Sequence, residues 1–354
     1  MISTLVFGEM PDGRPVHLYE LRAGAATVRL MDLGASVQAV CVPGRDGQVA
    51  DVLPGYDSVE GYLASGACFG ATVGPSANRS AGGEVLAGDE FFYLPKNDGG
   101  NNLHTDWKCG LHMRVWEAEV LEAANAVRFT CELPDGEFGL PGNRVFSALY
   151  TLAEVDGGAH ELRLEYRCET DAATFVNMTN HSYFNLAGDG SGVVYDQVAQ
   201  IFAASYLPQR EDNVSRGDAA AVVGTPFDFT AAKAIGRDIE ADCDQLAVAH
   251  GYDHCFCVDG YVEDGAPRPA MVAWDPVSGR ELQISLTTPG AHFYTGNWFE
   301  GDTGKNGVIY QPRYAFAFEP EFYPDNSHHA DWPHPVCTPD HPFESTVLWR
   351  FSAR

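Results

Sequence analysis

The sequence predicts a large antiparallel β-sandwich with few, short helices. Three observations support this fold class: β-rich runs recur along all 354 residues, hairpin turn signals separate them, and only two short stretches have a helical pattern. Hydrophobic residues make up 45% of the chain and aromatic residues 12%, so the sequence can fill a sizeable core. No linker or repeat divides it, and we predict a single domain over residues 1–354.

The predicted strands either alternate apolar and polar residues or are rich in β-branched and aromatic residues. In residues 161–167, the apolar side chains fall on every second position, as a half-buried strand requires. Comparable runs predict strands at residues 27–31, 36–42, 126–131, 145–150, 173–178, 255–258, 271–274, 282–286, 314–318 and 347–351. Turn signals separate them at residues 46–47, 156–158, 259–260 and 275–279. The helical candidates are residues 58–65 and 230–245, the second with Thr230 as its cap.

The charge balance restricts the partners of the protein. There are 49 acidic residues against 22 basic ones, for a formal net charge of -27. Such a surface repels phosphate backbones and anionic lipid, so we predict neither a nucleic-acid partner nor a membrane partner. A neutral small molecule is the substrate class that fits this charge best.

The sequence also bears on location and assembly. The first residues have neither a basic region nor a long apolar one, so they do not match a signal peptide, and no apolar run approaches the length of a membrane span. Nine scattered cysteines, an odd number, are typical of reduced thiols. We therefore predict a cytoplasmic protein, either a monomer or a homodimer.

The most informative stretch is residues 179–186, with the sequence TNHSYFNL. It follows the β-type run at 173–178 and precedes a glycine-rich breaker at 187–192. His181 is therefore expected at the end of a strand, where a rigid backbone can present its side chain to a cleft. Two asparagines and a hydroxyl surround it, and such groups are costly to bury without a role. The alternative is a hydrogen-bonded histidine with a purely structural role.

Four other polar clusters carry candidate binding residues. Residues 74–80 form a glycine-flanked loop with Arg79, whose planar fork of donors matches vicinal hydroxyls or a carboxylate. Residues 96–104 form a polar loop that ends in His104, and residues 251–254 place Asp253 directly before a strand. Residues 287–298 combine His292 with aromatic side chains, which suit the apolar faces of sugar rings. Taken singly, Arg79 is better explained as a surface ion-pair residue, whereas Asp253 is explained equally well as a turn residue and each aromatic as core.

The last candidate is Glu319, at the end of an apolar strand in residues 313–325. Pro320 and Pro324 are expected to stop this strand, so Glu319 would lie at its tip beside hydrophobic residues. Partial desolvation there raises a carboxylate pKa, which suits a general base near neutral pH. A solvated turn glutamate is the alternative.

A group of potential metal ligands crowds the C-terminal loop. Its members are His328, His329, His334, Cys337 and His341. Their spacing matches no compact zinc pattern and prolines interrupt it, so we predict no metal site.

Together, these motifs resemble the aldose 1-epimerases, the galactose mutarotases. The resemblance runs from about residue 34 to near the C-terminus, with its motifs in the family's order: residues 77–79, 102–104, 179–186, 251–254, 294–297, and Glu319 followed by 323–325. It implies a galactose mutarotase-like β-supersandwich. It also implies interconversion of the α and β anomers of free hexoses such as galactose and glucose, without a cofactor.

The resemblance implies residue roles as well. Glu319 would be the base that takes the proton from the anomeric hydroxyl, and His181 the acid that protonates the ring oxygen. The implied sugar-binding residues are Asn78, Arg79, His104 and Asp253, with Tyr183 and His292 lining the pocket. A carboxylate and an imidazolium, both tuned near neutrality, can open and reclose a hemiacetal in this way.

Three departures from the family pattern lie near these motifs. Thr105-Asp106 stand where the family usually has two glycines, and Pro320-Glu321 where it usually has Thr-Gln. His292 stands where the family usually has glutamine. We expect them to affect the preferred sugar more than the reaction, and we expect Glu321 to perturb Glu319 by like-charge coupling.

Three other functions compete with this one. A glycoside hydrolase would use Glu319 with Glu321 or Asp325 as a carboxylate pair, and would release reducing sugar from an aryl glycoside. A sugar-binding protein on the same scaffold would bind without accelerating any reaction. A sugar-phosphate epimerase would need more basic residues near the pocket than Arg79.

Overall fold

A computed structural model describes residues 1–354, which form mainly antiparallel strands. The first half of the chain contains β1 (Ser3–Glu9), β2 (Pro15–Ala23), β3 (Ala26–Met31), β4 (Ser36–Pro43), β5 (Val49–Asp51), β6 (Thr72–Val73), β7 (Arg79–Ser80), β8 (Glu84–Ala87), β9 (Glu90–Tyr93), β10 (Asn102–Leu103), β11 (Glu117–Leu121), β12 (Ala126–Leu133), β13 (Arg144–Val155) and β14 (Ala159–Thr170). The second half contains β15 (Thr179–Asn180), β16 (Tyr183–Phe184), β17 (Val198–Ile201), β18 (Ser205–Tyr206), β19 (Ala220–Ala221), β20 (Lys233–Ala234), β21 (Asp253–Cys257), β22 (Arg268–Trp274), β23 (Arg280–Leu286), β24 (Gly290–Tyr294), β25 (Asp302–Thr303), β26 (Ile309–Tyr310), β27 (Phe316–Glu321) and β28 (Phe343–Ala353).

Three large sheets organise these strands. β1 to β5 pair in sequence order. A nine-stranded sheet has the order β11-β12-β13-β14-β28-β23-β22-β17-β20, and a six-stranded sheet has the order β16-β27-β24-β21-β18-β19. The remaining strands form two-stranded pairs, β6 with β15, β7 with β10, β8 with β9, and β25 with β26. The predicted antiparallel β architecture is confirmed.

The helices are few and short, as predicted. α1 (Val59–Ala64) begins after Ser58, whose hydroxyl oxygen accepts a hydrogen bond from the Gly61 N–H, and α2 spans Asp244–Ala249. The single-turn 3-10 helices are Ala81–Gly83, Leu111–Met113, Glu122–Ala124, Glu137–Gly139, Asp156–Gly158, Ile235–Arg237, Lys305–Gly307 and Asn326–His328. None of the helices has the length and apolar character that crossing a membrane requires.

Two elements of the sequence prediction are wrong. The helix predicted at 230–245 does not form over most of that range, which holds β20, a 3-10 turn and an irregular segment before α2 begins at Asp244. β20 pairs with β17, and tertiary pairing overrides local propensity. Thr230 caps no helix, since its hydroxyl donates to Asp228. Residues 173–178 are also not a strand and make only an isolated bridge, between Asn177 and Ser76.

The main core contains 59 buried residues, and all three large sheets contribute to it. Leu164 and Trp349 come from the nine-stranded sheet, whereas Phe256, Phe293 and Phe318 come from the six-stranded one. Because one face of the six-stranded sheet packs into this core, its opposite face is available for a site.

Candidate active site

The face of the six-stranded sheet that points away from the main core carries the candidate site. Along β27, Phe316 and Phe318 belong to the main core, so Glu319 and Glu321 take the opposite face. The same alternation on β24 puts Phe293 in the core and His292 on the opposite face. The period-2 pattern of these strands therefore separates hydrophobic packing from polar chemistry.

A pocket of about 350 Å³ opens on this face, at the small end of the range for ligand pockets (about 300–1,000 Å³). It brings together all eight residues that the sequence analysis singled out: Asn78, Arg79, His104, His181, Tyr183, Asp253, His292 and Glu319. Its other lining residues are Ser65, Gly66, Ala67, Leu103, Trp107, Tyr294, Trp298, Phe299 and Asp302. Trp107, Phe299 and Asp302 were not predicted, and no sequence motif marks them.

The pocket wall carries two contacts between an imidazole and a carboxylate, His181 with Glu319 and His292 with Asp253. His181 Nε2 lies 3.5 Å from Glu319 Oε1, and both side chains are buried. As predicted, His181 comes directly after a strand, β15. Its backbone is fixed on both sides: its N–H donates to Ala71 O and its carbonyl accepts from the Gly70 N–H, each at 2.9 Å.

Burial shifts the pKa values of this pair in opposite senses. Desolvation raises the pKa of Glu319 well above its ordinary value; Glu321 and Asp253 add to the rise, while His292 opposes it. This confirms the expected desolvation of Glu319 and its coupling to Glu321. Burial also lowers the pKa of His181 to about 3. The expectation that the pKa of this imidazolium lies near neutrality is therefore wrong. Both shifts favour the neutral forms, so a single proton on this pair is held by Glu319 rather than by His181.

Asn78, Arg79 and His104 are held by the short pairing of β7 with β10, in which Leu103 lies opposite Arg79. His104 Nδ1 accepts from the Asn78 N–H at 3.1 Å, which leaves the ring proton on Nε2. Burial lowers the pKa of His104 well below its ordinary value, so the ring is a neutral donor. Arg79 Nε donates to Asp98 Oδ2 at 2.7 Å, which fixes its guanidinium at the pocket edge.

Asp253, His292 and Glu321 form a second buried charge array beside the pair. His292 Nε2 lies 2.8 Å from Asp253 Oδ1, and its Nδ1 lies 3.2 Å from Glu321 Oε1. Burial disfavours a charged ring, but the bonds to the two carboxylates raise the pKa of His292 to about 10. Burial likewise opposes ionisation of Asp253, yet its bond with His292 lowers the pKa of that carboxyl overall.

Aromatic rings line one side of the pocket. The Tyr183 ring centroid lies 4.8 Å from that of His181 and 5.9 Å from that of Tyr294. Phe299 packs on Tyr183 at 5.2 Å. Such a wall offers an apolar surface to the C–H face of a sugar ring and limits water around the His181–Glu319 pair.

The strand that carries Glu319 does not stop there. β27 continues through Pro320 to Glu321, so the prediction that Pro320 ends the strand is wrong. Pro320 pairs with Ala291 on β24, whereas β16 pairs with β27 only at Phe316 and Ala317. β16 has therefore ended before Pro320. No neighbouring strand on that side needs the backbone N–H that a proline lacks.

The other departures differ in their relation to the pocket. Thr105 and Asp106 are absent from its lining. The Thr105 hydroxyl accepts from the Ser76 N–H and donates to Ser76 O, while Asp106 accepts from the Lys108 N–H. They support the loop behind His104. His292, in contrast, lines the pocket and contacts Glu321.

The potential ligands of the C-terminal loop are dispersed. His328 contacts Asp325 and Glu84, Cys337 donates to the Cys168 carbonyl at 3.5 Å, and His341 lies 3.9 Å from Asp264. No three histidine, cysteine or carboxylate side chains of the chain are grouped as metal ligands.

Comparison with known proteins identifies the family to which this pocket belongs. The family model for aldose 1-epimerase matches residues 17–349. The chain belongs to the aldose 1-epimerase family. It is 36% identical to the galactose mutarotase of Mus musculus over 353 residues, which cover 99% of this chain and 98% of the relative. It is 34% identical to the aldose 1-epimerase of Escherichia coli K12 over 346 residues, 97% of each.

Solved structures support the same assignment. The crystal structure of a galactose 1-epimerase from Lactobacillus acidophilus superposes with a TM-score of 0.83 at 26% identity, covering 100% of this chain and 99% of that one. The predicted family and its mutarotase-like β fold are confirmed. As a member of the aldose 1-epimerases, the protein is an isomerase.

Proposed function

We propose that this aldose 1-epimerase converts free hexoses between their α and β anomers, with Glu319 and His181 as the proton-transfer residues. The observation that carries the proposal is the buried 3.5 Å contact between His181 Nε2 and Glu319 Oε1 on the wall of a hexose-sized pocket. Ring opening needs one proton removed from the anomeric hydroxyl and another delivered to the ring oxygen. A carboxylate and an imidazole that together hold one proton can do both.

The pKa directions fit this exchange. The carboxylate–imidazolium form of the pair is the less stable one, because burial raises the pKa of Glu319 and lowers that of His181. In that form, Glu319 is a strong base and His181 a strong acid. As Glu319 takes the hydroxyl proton and His181 protonates the ring oxygen, the pair returns to its neutral form. Rotation about the first carbon–carbon bond and the reverse transfers then close the ring as the other anomer.

The charges of the pocket support a neutral sugar. Arg79 is the only lysine or arginine in the lining, and it is paired with Asp98. Asp253, Asp302 and Glu319 are carboxylates on the same lining. With His292 charged beside Arg79 and with Glu319 neutral, the two aspartates balance the two cations, so a sugar phosphate would find no excess of positive charge. The named relatives make galactose the first substrate to test, with glucose beside it.

The hydrolase alternative has little support in the geometry. Glu321 and Asp325 do not line the pocket. Glu321 contacts His292, and Asp325 accepts from the Ala81 N–H and contacts His328. Neither carboxylate is placed across the pocket from Glu319 as a glycosidase pair requires.

We also propose that the protein is cytoplasmic. All nine cysteines are free thiols, which favours a reducing compartment such as the cytoplasm.

Polarimetry tests the proposed reaction. Freshly dissolved α-D-galactose and α-D-glucose should relax to the anomeric equilibrium faster with the protein than without it. An unchanged relaxation of both sugars, together with binding of either, would favour the sugar-binding alternative. Release of reducing sugar from an aryl glycoside would favour the hydrolase, and strong competition by a hexose phosphate would favour a sugar-phosphate epimerase.

A further inference from the structure

Glu321 is a buried acid that the proposed reaction does not use. It is fully buried on β27 and absent from the pocket lining, and its Oε2 has no hydrogen-bond partner. A buried carboxylate is costly unless it is paired. The contact that compensates it is Oε1 with His292 Nδ1, at 3.2 Å.

The strand register explains why this contact forms. Gly290 lies opposite Glu321 on β24, so His292 is the diagonal neighbour of Glu321 on the same face. Gly290 has no side chain of its own, and a Cβ there would lie 2.7 Å from Cys255 Sγ. On the other side of β24, Asp253 is likewise the diagonal neighbour of His292. The imidazole therefore bridges carboxylates from two different strands.

We propose that Glu321 is a positioning residue that acts through His292, holding the imidazole so that Asp253 stays ionised and oriented toward the sugar while one positive charge remains beside Glu319. This inference rests on the proposed function for its meaning in catalysis. Burial raises the pKa of Glu321, and the neighbouring His292 opposes that rise. With all three groups ionised, the two carboxylates and one imidazolium have one excess negative charge. Neutralising His292 alone leaves two buried carboxylates without a cation, whereas neutralising Glu321 alone leaves His292 balanced by Asp253.

The position of Asn78 explains why His292 needs a carboxylate at position 321. Asn78 Nδ2 lies 2.9 Å from His292 Nδ1 and 3.5 Å from Glu321 Oε1. When the ring is charged, Nδ1–H needs an acceptor, which the Asn78 NH2 group cannot supply and the Glu321 carboxylate can. Without Glu321, Nδ1 is left facing a donor, which favours the neutral ring and weakens its hold on Asp253.

Other titratable groups surround Glu319 and must be counted in any pH effect. They are His181, Cys68, Tyr183 and Tyr294. Burial raises the pKa values of Cys68, Tyr183 and Tyr294, so these three stay neutral over the working range. His292 is the cation that most lowers the pKa of Glu319.

A double-mutant cycle tests this proposal with His292→Gln, Glu321→Gln and the double variant. We expect Glu321→Gln to lower kcat/KM for galactose about 10-fold, mainly through KM, because Asp253 is less firmly held. His292→Gln should cost about 100-fold or more, because it leaves Glu321 buried and unpaired. The double variant should recover at least about 10-fold relative to His292→Gln, because a neutral buried pair avoids that penalty.

The pH profile separates positioning from a structural role. The alkaline limb of kcat/KM should move to higher pH in His292→Gln, because the cation that lowers the pKa of Glu319 is gone, and should return toward the wild-type position in the double variant. Losses that multiply in the double variant would overturn the proposal, as would an alkaline limb that does not move in His292→Gln. Glu281→Gln, at a buried carboxylate on β23 of the nine-stranded sheet that pairs with Arg354, is the matched control and should leave the profile unchanged.

The same three variants can also be compared by measurements that do not require catalysis. The midpoint of thermal unfolding should fall most in His292→Gln and recover in the double variant. Galactose affinity, measured by the fluorescence of Trp107 and Trp298, should change in the same order. If the wild-type protein fails to accelerate mutarotation, the proposed function fails. The unfolding midpoints still decide whether Glu321 and His292 act as a pair, and equal midpoints for His292→Gln and the double variant would show that they do not.

Discussion

His181 Nε2 lies 3.5 Å from Glu319 Oε1, although the two residues lie far apart in the sequence. β27 supplies the carboxylate, and the segment after β15 supplies the imidazole. Both side chains are buried, and burial disfavours the charged form of each. The proposed reaction therefore depends on one proton that His181 and Glu319 share.

His181→Asn should slow mutarotation strongly. Asparagine keeps a polar group at the position but cannot deliver a proton to the ring oxygen, so we expect kcat to fall about 10²–10⁴-fold. Polarimetry at saturating galactose measures the loss. His160→Asn, at a buried histidine on β14 outside the pocket, is the control. Equal rates for wild type and His181→Asn would remove His181 from the proton-transfer pair.

The pH dependence should report the shared proton. Above the raised pKa of Glu319, the pair has no proton to deliver, so kcat/KM should fall as the pH rises through that value. On the acid side, activity should persist below the ordinary histidine pKa, because burial lowers the pKa of His181 to about 3. A profile of kcat/KM between about pH 4 and pH 10 checks this. An acid limb near the ordinary histidine pKa that disappears in His181→Asn would contradict it.

Asp98 should affect binding rather than chemistry. Asp98→Asn weakens the acceptor that fixes Arg79 Nε, while the shape of the side chain is kept. Both groups are partly exposed, so we expect only about a two- to five-fold rise in KM, with kcat nearly unchanged. Initial rates over a range of galactose concentrations separate the two constants. Asp12→Asn, in the exposed pair with Arg14, is the control, and a fall in kcat alone in Asp98→Asn would speak against a binding role.

Gly70→Ala should destabilise the fold next to His181. Gly70 has φ +68°, and an added Cβ would lie 2.0 Å from the Val37 carbonyl oxygen, which belongs to rigid backbone. We expect a loss of more than about 1 kcal/mol in the free energy of unfolding, measured by urea denaturation, together with slower mutarotation. Gly13→Ala shares a left-handed backbone, φ +85°, but its Cβ would meet nothing within 4 Å. Equal losses in the two variants would show that the close approach to Val37 is unimportant.

The sequence was most informative where chemistry depends on local motifs. Residues such as His181, Arg79 and Asp253 could be selected because each lies in a polar cluster next to a strand, and all of them reach one pocket. The apolar run that leads to Glu319 also indicated a desolvated carboxylate with a raised pKa. The helix predicted at 230–245 was wrong because strand pairing between β20 and β17, which sequence propensity does not describe, determines that segment.

Contacts between strands could not be predicted in the same way. The pairing of His292 with Glu321 depends on the register of β24 against β27, and nothing in the sequence indicated that these two residues contact each other. Trp107 reaches the pocket from a turn and Asp302 from the short strand β25, and both positions follow from tertiary packing. The direction of the His181 pKa shift likewise depends on how completely the ring is buried.

The measurement that tests the account most directly compares wild type with Glu319→Gln in two assays, polarimetry of freshly dissolved α-D-galactose and sugar binding followed by tryptophan fluorescence. Glutamine keeps the size of the side chain but cannot accept the hydroxyl proton. We expect the catalysed rate to fall about 10²–10⁴-fold while galactose still binds. A Glu319→Gln variant that keeps the wild-type rate would contradict the assignment of Glu319 as the base, and with it the proposed role of the His181–Glu319 pair.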